Sequence, residues 1–448
     1  MTSSEQRAAR SAVIPVRTNR QMRRIALASF TGTVIEFYDL TLYAVTASLV
    51  FAEVFFPALG PVGGTVAAFG SLGVAFVARP VGALIFGHFG DRLGRKRMLV
   101  TTLLLMGGAT VVVGAMPTAE QIGIAAPIAI VLMRIVQGVA AGGELAGAAL
   151  FSTESAPAAK RGFWTMFTSL GGGFSIVLAN ATLLAVAVWL SDEQFVSFGW
   201  RIPFLASALL IVVGLYIRLK IDESPVFEAE AQAGRSEGRS TVPFVEAWRL
   251  QPRQMLLVAG ISIMQAAFTY LGATYFANLG TTQLGLTRNT VLAAGIVGGL
   301  CWALGVVVGA TASDQVGRRP VLLAATGTAV VWALLVFPIL ASASGGVYLL
   351  LLCVTMLIAG LEIGPINVML SELFDTRYRY TASAFAYNLG LVLGGAVPPL
   401  VGGPITASYG AFVFGLFLAF LCLISLLSAI GLPETRHWDL SDVLGSGR

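Results

Sequence analysis

Twelve stretches of mostly apolar residues recur along this chain, and most are long enough to cross a bilayer as an α-helix, which takes about 20 residues. They fall at 25–51, 65–86, 98–116, 122–147, 164–189, 202–217, 255–279, 291–312, 321–340, 347–370, 381–406 and 411–432. They run far beyond the ~10 residues of a barrel strand and lack its alternation. Helices are then the spanning structure that satisfies every backbone group inside lipid. The expected class is an all-α membrane protein with twelve transmembrane helices. Composition excludes the soluble alternative: only 11% of the residues are charged and 56% are hydrophobic, whereas soluble domains carry about 25% charge. Cys301, Cys353 and Cys422 all lie in apolar runs. They read as small buried hydrophobes, with no disulfide framework implied.

The basic residues orient the spans. Residues 1–24 are polar and basic, and the first apolar run is too long for a secretory signal. With both termini and the even-to-odd loops in the cytoplasm, 24 of the 28 Lys+Arg residues are cytoplasmic. Arg201 and Arg288 face outward, and Arg79 and Arg134 lie inside spans. This asymmetry is the positive-inside pattern and predicts a multi-pass protein of the plasma (inner) membrane. The longest internal break, 218–254, is rich in charge, Gly, Ser and Pro without an apolar run, and splits the spans six and six. The expected layout is a tail at 1–24, a six-helix half at 25–217, a cytoplasmic central loop at 218–254, a second half at 255–432 and a tail at 433–448.

The two halves echo one another. The loop after span 2 contains Gly87, Asp91, Gly94 and Arg95; the loop after span 8 contains Asp314, Gly317 and Arg318. Both read Asp-x-x-Gly-Arg followed by a base. Glu154 stands seven residues before Arg161, and Glu372 seven before Arg379, after spans 4 and 10. Repeated halves are the sequence signature of many secondary transporters. Glycine lets a short loop reverse, and an aspartate there can accept from a helix N-terminus or an arginine. These residues, with Glu144, are the candidates for gating. The plain alternative is that the basic residues serve only as orientation charges.

At these residues the chain resembles the major facilitator superfamily, through 87–97, through Arg134-Ile-Val-Gln137-Gly138 and through Pro433-Glu434-Thr435. It is similar in finer detail to the metabolite:proton symporter subgroup, whose relatives carry shikimate, 2-oxoglutarate, citrate, or proline and betaine. The matching features include Glu36-Phe37-Tyr38-Asp39, Ala78-Arg79-Pro80-Val81-Gly82, Gly142-Gly143-Glu144, Trp200-Arg201-Ile202-Pro203-Phe204 and Tyr387-Asn388-Leu389-Gly390. The resemblance implies two pseudo-symmetric six-helix halves that rock around a midplane site. It also implies proton-coupled import of a small metabolite.

Charge inside the membrane costs roughly 2.5–3.5 kcal/mol per group on insertion scales, so such groups face a cavity or a partner. Glu36, Asp39, Arg79 and Arg134 lie near the middle of their spans. Glu36, Asp39 and Tyr43 follow i, i+3, i+7 spacing and share one helix face. Asp39 with Arg134 is the expected proton-coupling pair and Glu36 the rival acid. A permanent ion pair between helices 1 and 4 is the structural alternative. Arg79 and Arg134 can bind a substrate carboxylate, for which a guanidinium is well shaped. Tyr43, Gln265, Glu362, Asn367, Tyr387 and Asn388 are the other candidate cavity residues, though any one of them can simply join helices.

The three lysines, Lys96, Lys160 and Lys220, fit no Gly-Lys-Ser/Thr phosphate loop, so no nucleotide is expected. His88 and His437 lie outside the spans and form no metal or catalytic set with the cysteines. No cofactor, metal, enzymatic activity or nucleic-acid partner is expected. The net charge of +5 suits anionic lipid headgroups. The partners expected are a small metabolite, protons and the lipid bilayer, with oligomeric state open. Arginines inside the membrane favour an organic acid; a zwitterionic osmolyte is the alternative. A proton-coupled efflux antiporter is the other, although helix 5 offers Gly171-Gly172-Gly173 without the Gly-Pro element of drug exporters. The orientation is testable by thiol labelling in a background with all three cysteines replaced. Glu120→Cys should react with an impermeant maleimide on intact cells, and Ser236→Cys only after the membrane is opened; the reverse pattern would invert the assignment.

Overall fold

The computed structural model describes residues 19–93, 95–143, 145–220, 243–340, 345–375 and 378–438. Among the described residues all regular structure is helical. The spanning helices are α1 (Asn19–Phe55), α2 (Gly60–Leu93), α3 (Arg95–Ala115), α4 (Ala125–Gly142, continued by Leu145–Ser155), α5 (Arg161–Trp189) and α6 (Arg201–Lys220) in the first half. The second half contains α7 (Pro252–Thr282), α8 (Arg288–Val316), α9 (Arg318–Leu340), α10 (Gly345–Leu373), α11 (Arg379–Tyr409) and α12 (Ala411–Gly431). Ten described helices are long and apolar enough to cross a membrane; the bent pair Asp192–Gly199 and Arg201–Ile217 gives an eleventh, and the shorter apolar Val100–Ala115 lies in α3. The fold is all-helical, with twelve spans in two related halves. Large apolar side chains such as Leu104, Leu209, Val212, Val331, Leu350 and Phe420 are exposed on the outside, which lipid, not water, can solvate.

The helices are held at close range by glycines four residues apart. A Cβ on Gly138 or Gly142 of α4 would overlap the carbonyl oxygens of Ala75 or Arg79 on α2. The second half repeats the device, with Gly305 and Gly309 of α8 against Leu357 and Leu361 of α10, and Gly360 against Trp302. Gly390 and Gly394 of α11 meet the backbone of α7 in the same way. Lipid tails are as apolar as leucine, so membrane helices associate through such backbone contact rather than through a hydrophobic drive. Glycines also line the seam between the halves. Along α5 and α8, Gly162 faces the Ala310 carbonyl, Gly173 the Trp302 ring and Gly299 the Gly173 carbonyl. α1 and α7 each carry a π-helical turn, at Ala47–Phe51 and Leu271–Tyr275.

Two local expectations change. Within 218–254, Pro243–Leu250 is a helix. Its apolar face is only Phe244, Ala247 and Trp248, too short to register as an apolar run. It docks on α11, with the Phe244 and Phe385 rings 4.7 Å apart. Cys422 is buried, but Cys301 and Cys353 are half-buried. Gly360→Val should abolish recovery of monodisperse protein in detergent, because its side chain has only the Trp302 backbone to displace. Gly327→Ala, whose Cβ would meet nothing within 4 Å, should leave recovery unchanged; the intrinsic helix gain is about 0.5–1 kcal/mol.

Candidate functional site

A buried polar layer crosses the middle of the first half. Glu36, Asp39, Arg79, Arg134 and Gln137 are each at most 4% exposed, brought together by α1, α2 and α4. The space that Asp39, Arg79, Arg134 and Gln137 help enclose is about 10 Å³, room for roughly one water molecule. Arg134 lies over the Tyr43 ring at 3.9 Å and donates to Gln137 Oε1 at 2.7 Å. Gln137 in turn donates to Thr110 on α3 at 2.7 Å. Tyr43 is 2.6 Å from the Ser71 hydroxyl. Asp39 faces Thr110 and Arg134, yet among the described residues it forms no ion pair with Arg134 within 4.0 Å. The expected pair is therefore not closed here, because Gln137 lies one turn along α4 and takes the guanidinium instead. Arg79 lies 5.1 Å from the Phe76 ring centre, within electrostatic reach of Glu36 and Tyr387. Its Nε, and Nε and Nη2 of Arg134, have no hydrogen-bond partner among the described residues.

The second half contributes a facing set. Tyr387 of α11 donates to Gln265 Oε1 of α7 at 3.1 Å. Glu362 of α10 is fully buried. Two of the candidate cavity residues join the halves instead. Asn367 donates to Ser169 of α5 at 2.7 Å, and Asn388 donates to the Gly142 carbonyl of α4 at 3.2 Å. Gln137, Ser71, Thr110 and Ser169 were not among the expected site residues. Gln137 stands in the Arg134-Ile-Val-Gln137-Gly138 motif, whereas the other three show in the sequence only as polar side chains within apolar runs, which many unremarkable helix contacts share.

At the end of the bundle that carries the basic loops, the two echoes exchange partners. Glu372 accepts from Arg161 at 3.3 Å, and Glu154 accepts from Arg379 at 3.1 Å. Each acid pairs with the arginine of the other half. Glu372 also holds Arg318 at 3.3 Å and the Thr435 hydroxyl at 2.6 Å. Asp314 accepts from Arg318 at 2.8 Å and from the backbone amides of Gly162 and Phe163 at 2.9 Å. Those amides open α5, so the carboxylate caps the first turn of a helix in the other half. Gly317 has φ +109°, and a Cβ there would overlap Glu434, which is why this loop requires glycine. Tyr380 donates to the Gly143 carbonyl across the halves. Gly94 and Glu144 lie outside the described residues, as do the surroundings of Gly87, Asp91 and Arg95. At the opposite end, Arg288 and Asp192 form an exposed pair at 2.6 Å that also joins the halves; such pairs are worth little.

The chain matches the model of the Major Facilitator Superfamily over residues 29–399. It is 39% identical over 424 residues to the inner membrane metabolite transport protein YhjE of Escherichia coli (strain K12), covering 93% of this chain and 95% of that one. It is 35% identical to the shikimate transporter of the same organism, covering 93% and 95%. Its fold is similar to that of the proton:xylose symporter XylE bound to 6-bromo-6-deoxy-D-glucose, with TM-score 0.76, 19% identity and coverage of 94% and 98%.

Glu434 gives the ion-pair end a pH signature. Partial burial pushes its carboxyl up, but backbone amides at Arg318, Arg436, Arg319 and Thr435 together hold it below its ordinary value of 4.5. Two of these amides, at 2.9 and 3.0 Å, open α9. A carboxylate with a depressed folded value stabilises the fold above its unfolded value and loses that contribution as pH falls through the folded one. Glu434→Ala should cost about 1 kcal/mol near neutral pH, the scale of a lost helix cap. The difference in melting temperature between wild type and variant should shrink as pH drops below 4.5. A difference independent of pH would show that the ionised carboxylate is not what caps α9.

Proposed function

The chain belongs to the Major Facilitator Superfamily, and we propose that it is a proton-coupled symporter importing a small organic acid by alternating access. The observation that carries this reading is the pair of buried guanidiniums, Arg79 and Arg134, 3% and 1% exposed, with nitrogens unpartnered on one shared space. A buried guanidinium with donors left over favours a carboxylate ligand, whose two oxygens match them.

Charge balance then links substrate to proton. The layer holds two guanidiniums and two carboxyls, Glu36 and Asp39. Ionised together they are neutral, and a substrate carboxylate brings one further negative charge into a space with little water. A proton taken by Asp39 or Glu36 restores neutrality. Release of substrate and proton on the far side returns the layer to its starting charge. Because Arg134 is engaged by Gln137 and Tyr43 rather than by an ion pair with Asp39, the acid is free to exchange its proton without first breaking a salt bridge. Arg79, with Glu36 on one side and Tyr387 on the other, is positioned to sense both halves. Tyr43 and Gln265 border this layer as ligand contacts in the same reading.

In this reading the basic-loop end faces the cytoplasm, with both termini there, and the exchanged pairs Arg161–Glu372 and Arg379–Glu154 are its gate. With both pairs formed, this arrangement is, in the same reading, the one closed toward the cytoplasm. Asp314 and Gly317 lock the loops that the gate closes on, and the sequence repeat assigns Asp91, Gly94, Gly87 and Arg95 the same role in the first half, with Glu144 counted among the gating residues. A solute from the periplasm is released only after these contacts part.

The test is uptake of radiolabelled shikimate, 2-oxoglutarate, citrate, proline and betaine into proteoliposomes under an inward proton gradient. An organic acid should accumulate in wild type, and Asp39→Asn should lose gradient-driven accumulation while retaining exchange of solute for solute. Arg79→Lys keeps the charge but loses the fork, and should raise the apparent Kd about tenfold, a cost of about 1.4 kcal/mol. Accumulation of proline or betaine alone would shift the substrate class to zwitterions. Efflux of preloaded solute without uptake would replace import by antiport.

A further inference from the structure

We propose that Glu362 is a second proton-binding group of the transport cycle, protonated while the gate is closed and released to ionise when it opens. This rests on the transport reading above but concerns a residue in the other half. Glu362 sits in α10, fully buried, and neither carboxyl oxygen has a hydrogen-bond partner among the described residues. The backbone of Gln265 on α7 lies within electrostatic reach of the carboxyl but makes no hydrogen bond to either oxygen. An ionised carboxylate stripped of water and of hydrogen bonds costs many kcal/mol, so the group neutralises instead. Among the described residues no Lys, Arg or His pairs with it, so protonation is the direct way to remove this cost.

The surroundings connect this acid to the central layer. Gln265 approaches from α7, Tyr387 from α11 and Cys422 from α12. None of these three groups is a base, and among the described residues Glu362 forms no ion pair. Tyr387 lies within electrostatic reach of Arg79, Glu362 and Glu36 together, and its hydroxyl is tied to Gln265. A hydrogen-bonding unit, Gln265 with Tyr387, therefore stands between an acid in the second half and the guanidinium of Arg79 in the first. When the halves move apart along α2 and α11, that unit loses Arg79 on one side and Glu362 gains water on the other.

The helix is also weakened next to this acid. Pro365 lies inside α10 and has no amide for the Leu361 carbonyl one turn back. Gly360 and Gly364 flank Glu362 and pack on α8. A helix that lacks one hydrogen bond and carries glycines on one face is the part of α10 best able to bend. Glu362 thus sits where a change in the curvature of α10 would expose it. Its protonation is coupled to the conformation, and not only to the pH of the bath.

Infrared difference spectroscopy of the lipid-reconstituted protein at pH 7 tests this without any substrate. Wild type minus Glu362→Gln should contain the C=O stretching band of a protonated carboxylic acid, shifted in deuterated buffer. Glu362→Asp should retain such a band, and both variants should be compared only as monodisperse protein. The same subtraction is then repeated in the background Glu154→Gln/Glu372→Gln, which removes the two exchanged gate pairs. The band assigned to Glu362 should lose most of its intensity there. Its absence from the wild-type subtraction would overturn the proposal, since Glu362 would then be ionised in the closed state. Its persistence in the opened background would overturn it too, leaving a permanently neutral packing residue. Failure of every solute in the uptake panel would count against the transport reading and leave this readout standing.

Discussion

The exchange of charge between the halves is the contact that ties them together at the basic-loop end. Glu154 and Arg379, and Glu372 and Arg161, form two reciprocal pairs. Glu372 is fully buried and Arg161 and Arg379 nearly so. Removing one partner of a buried pair leaves a charge without compensation, which costs about 3–5 kcal/mol, whereas the intact pair contributes far less net stability. Such a contact is a good latch: it holds geometry strongly while closed, yet separating both partners into water returns much of the energy as hydration. The chain after α12 reinforces it. Thr435 donates to Glu372, and the Trp438 carbonyl accepts from Arg161 at 2.9 Å, so residues of the tail bridge both halves.

α5 and α8 pack along glycines from the Gly162–Ala310 contact to the Gly295–Asn180 contact, which spans both ends of the bundle. Glycine on one side of each of these contacts keeps the two helices close, and Trp302, Val177 and Asn180 supply the side chains that fill the seam. The hydrogen bonds from Asn367 to Ser169 and from Asn388 to Gly142 cross between the halves near the layer. These contacts and the latch must part together if the layer is to open toward the basic-loop end.

Much of this was legible in the sequence, for reasons that differ by element. Apolar runs fix the spans because the bilayer demands a minimum length, and that demand is local. Repeat positions of Glu154, Arg161, Glu372 and Arg379 were visible as an echo, since 218 positions separate both the acids and the arginines. The same spacing takes Glu144 to Glu362. Which acid meets which arginine was not visible: the exchange between halves is a property of how two folded units dock. The same limit hid the engagement of Arg134 by Gln137, and the use of Asn367 and Asn388 as ties between helices. The helix Pro243–Leu250 was missed because its apolar face is three residues, below the length at which periodicity speaks. Asp314 was readable as an acceptor for a helix N-terminus, but only the tertiary structure names α5 as that helix.

Distance measurement across the halves tests the latch most directly. Spin labels at Ala158, in the first half, and Leu250, on the loop helix docked to the second, report opening of the basic-loop end by electron–electron double resonance. In wild type without solute, a short-distance population should dominate. In Glu154→Gln/Glu372→Gln that population should move to longer distances, with labels at the opposite end, on Asp192 and Arg288, moving the other way. Identical distance distributions in wild type and variant would contradict the account, because the exchanged charges would then not be what holds the two halves together.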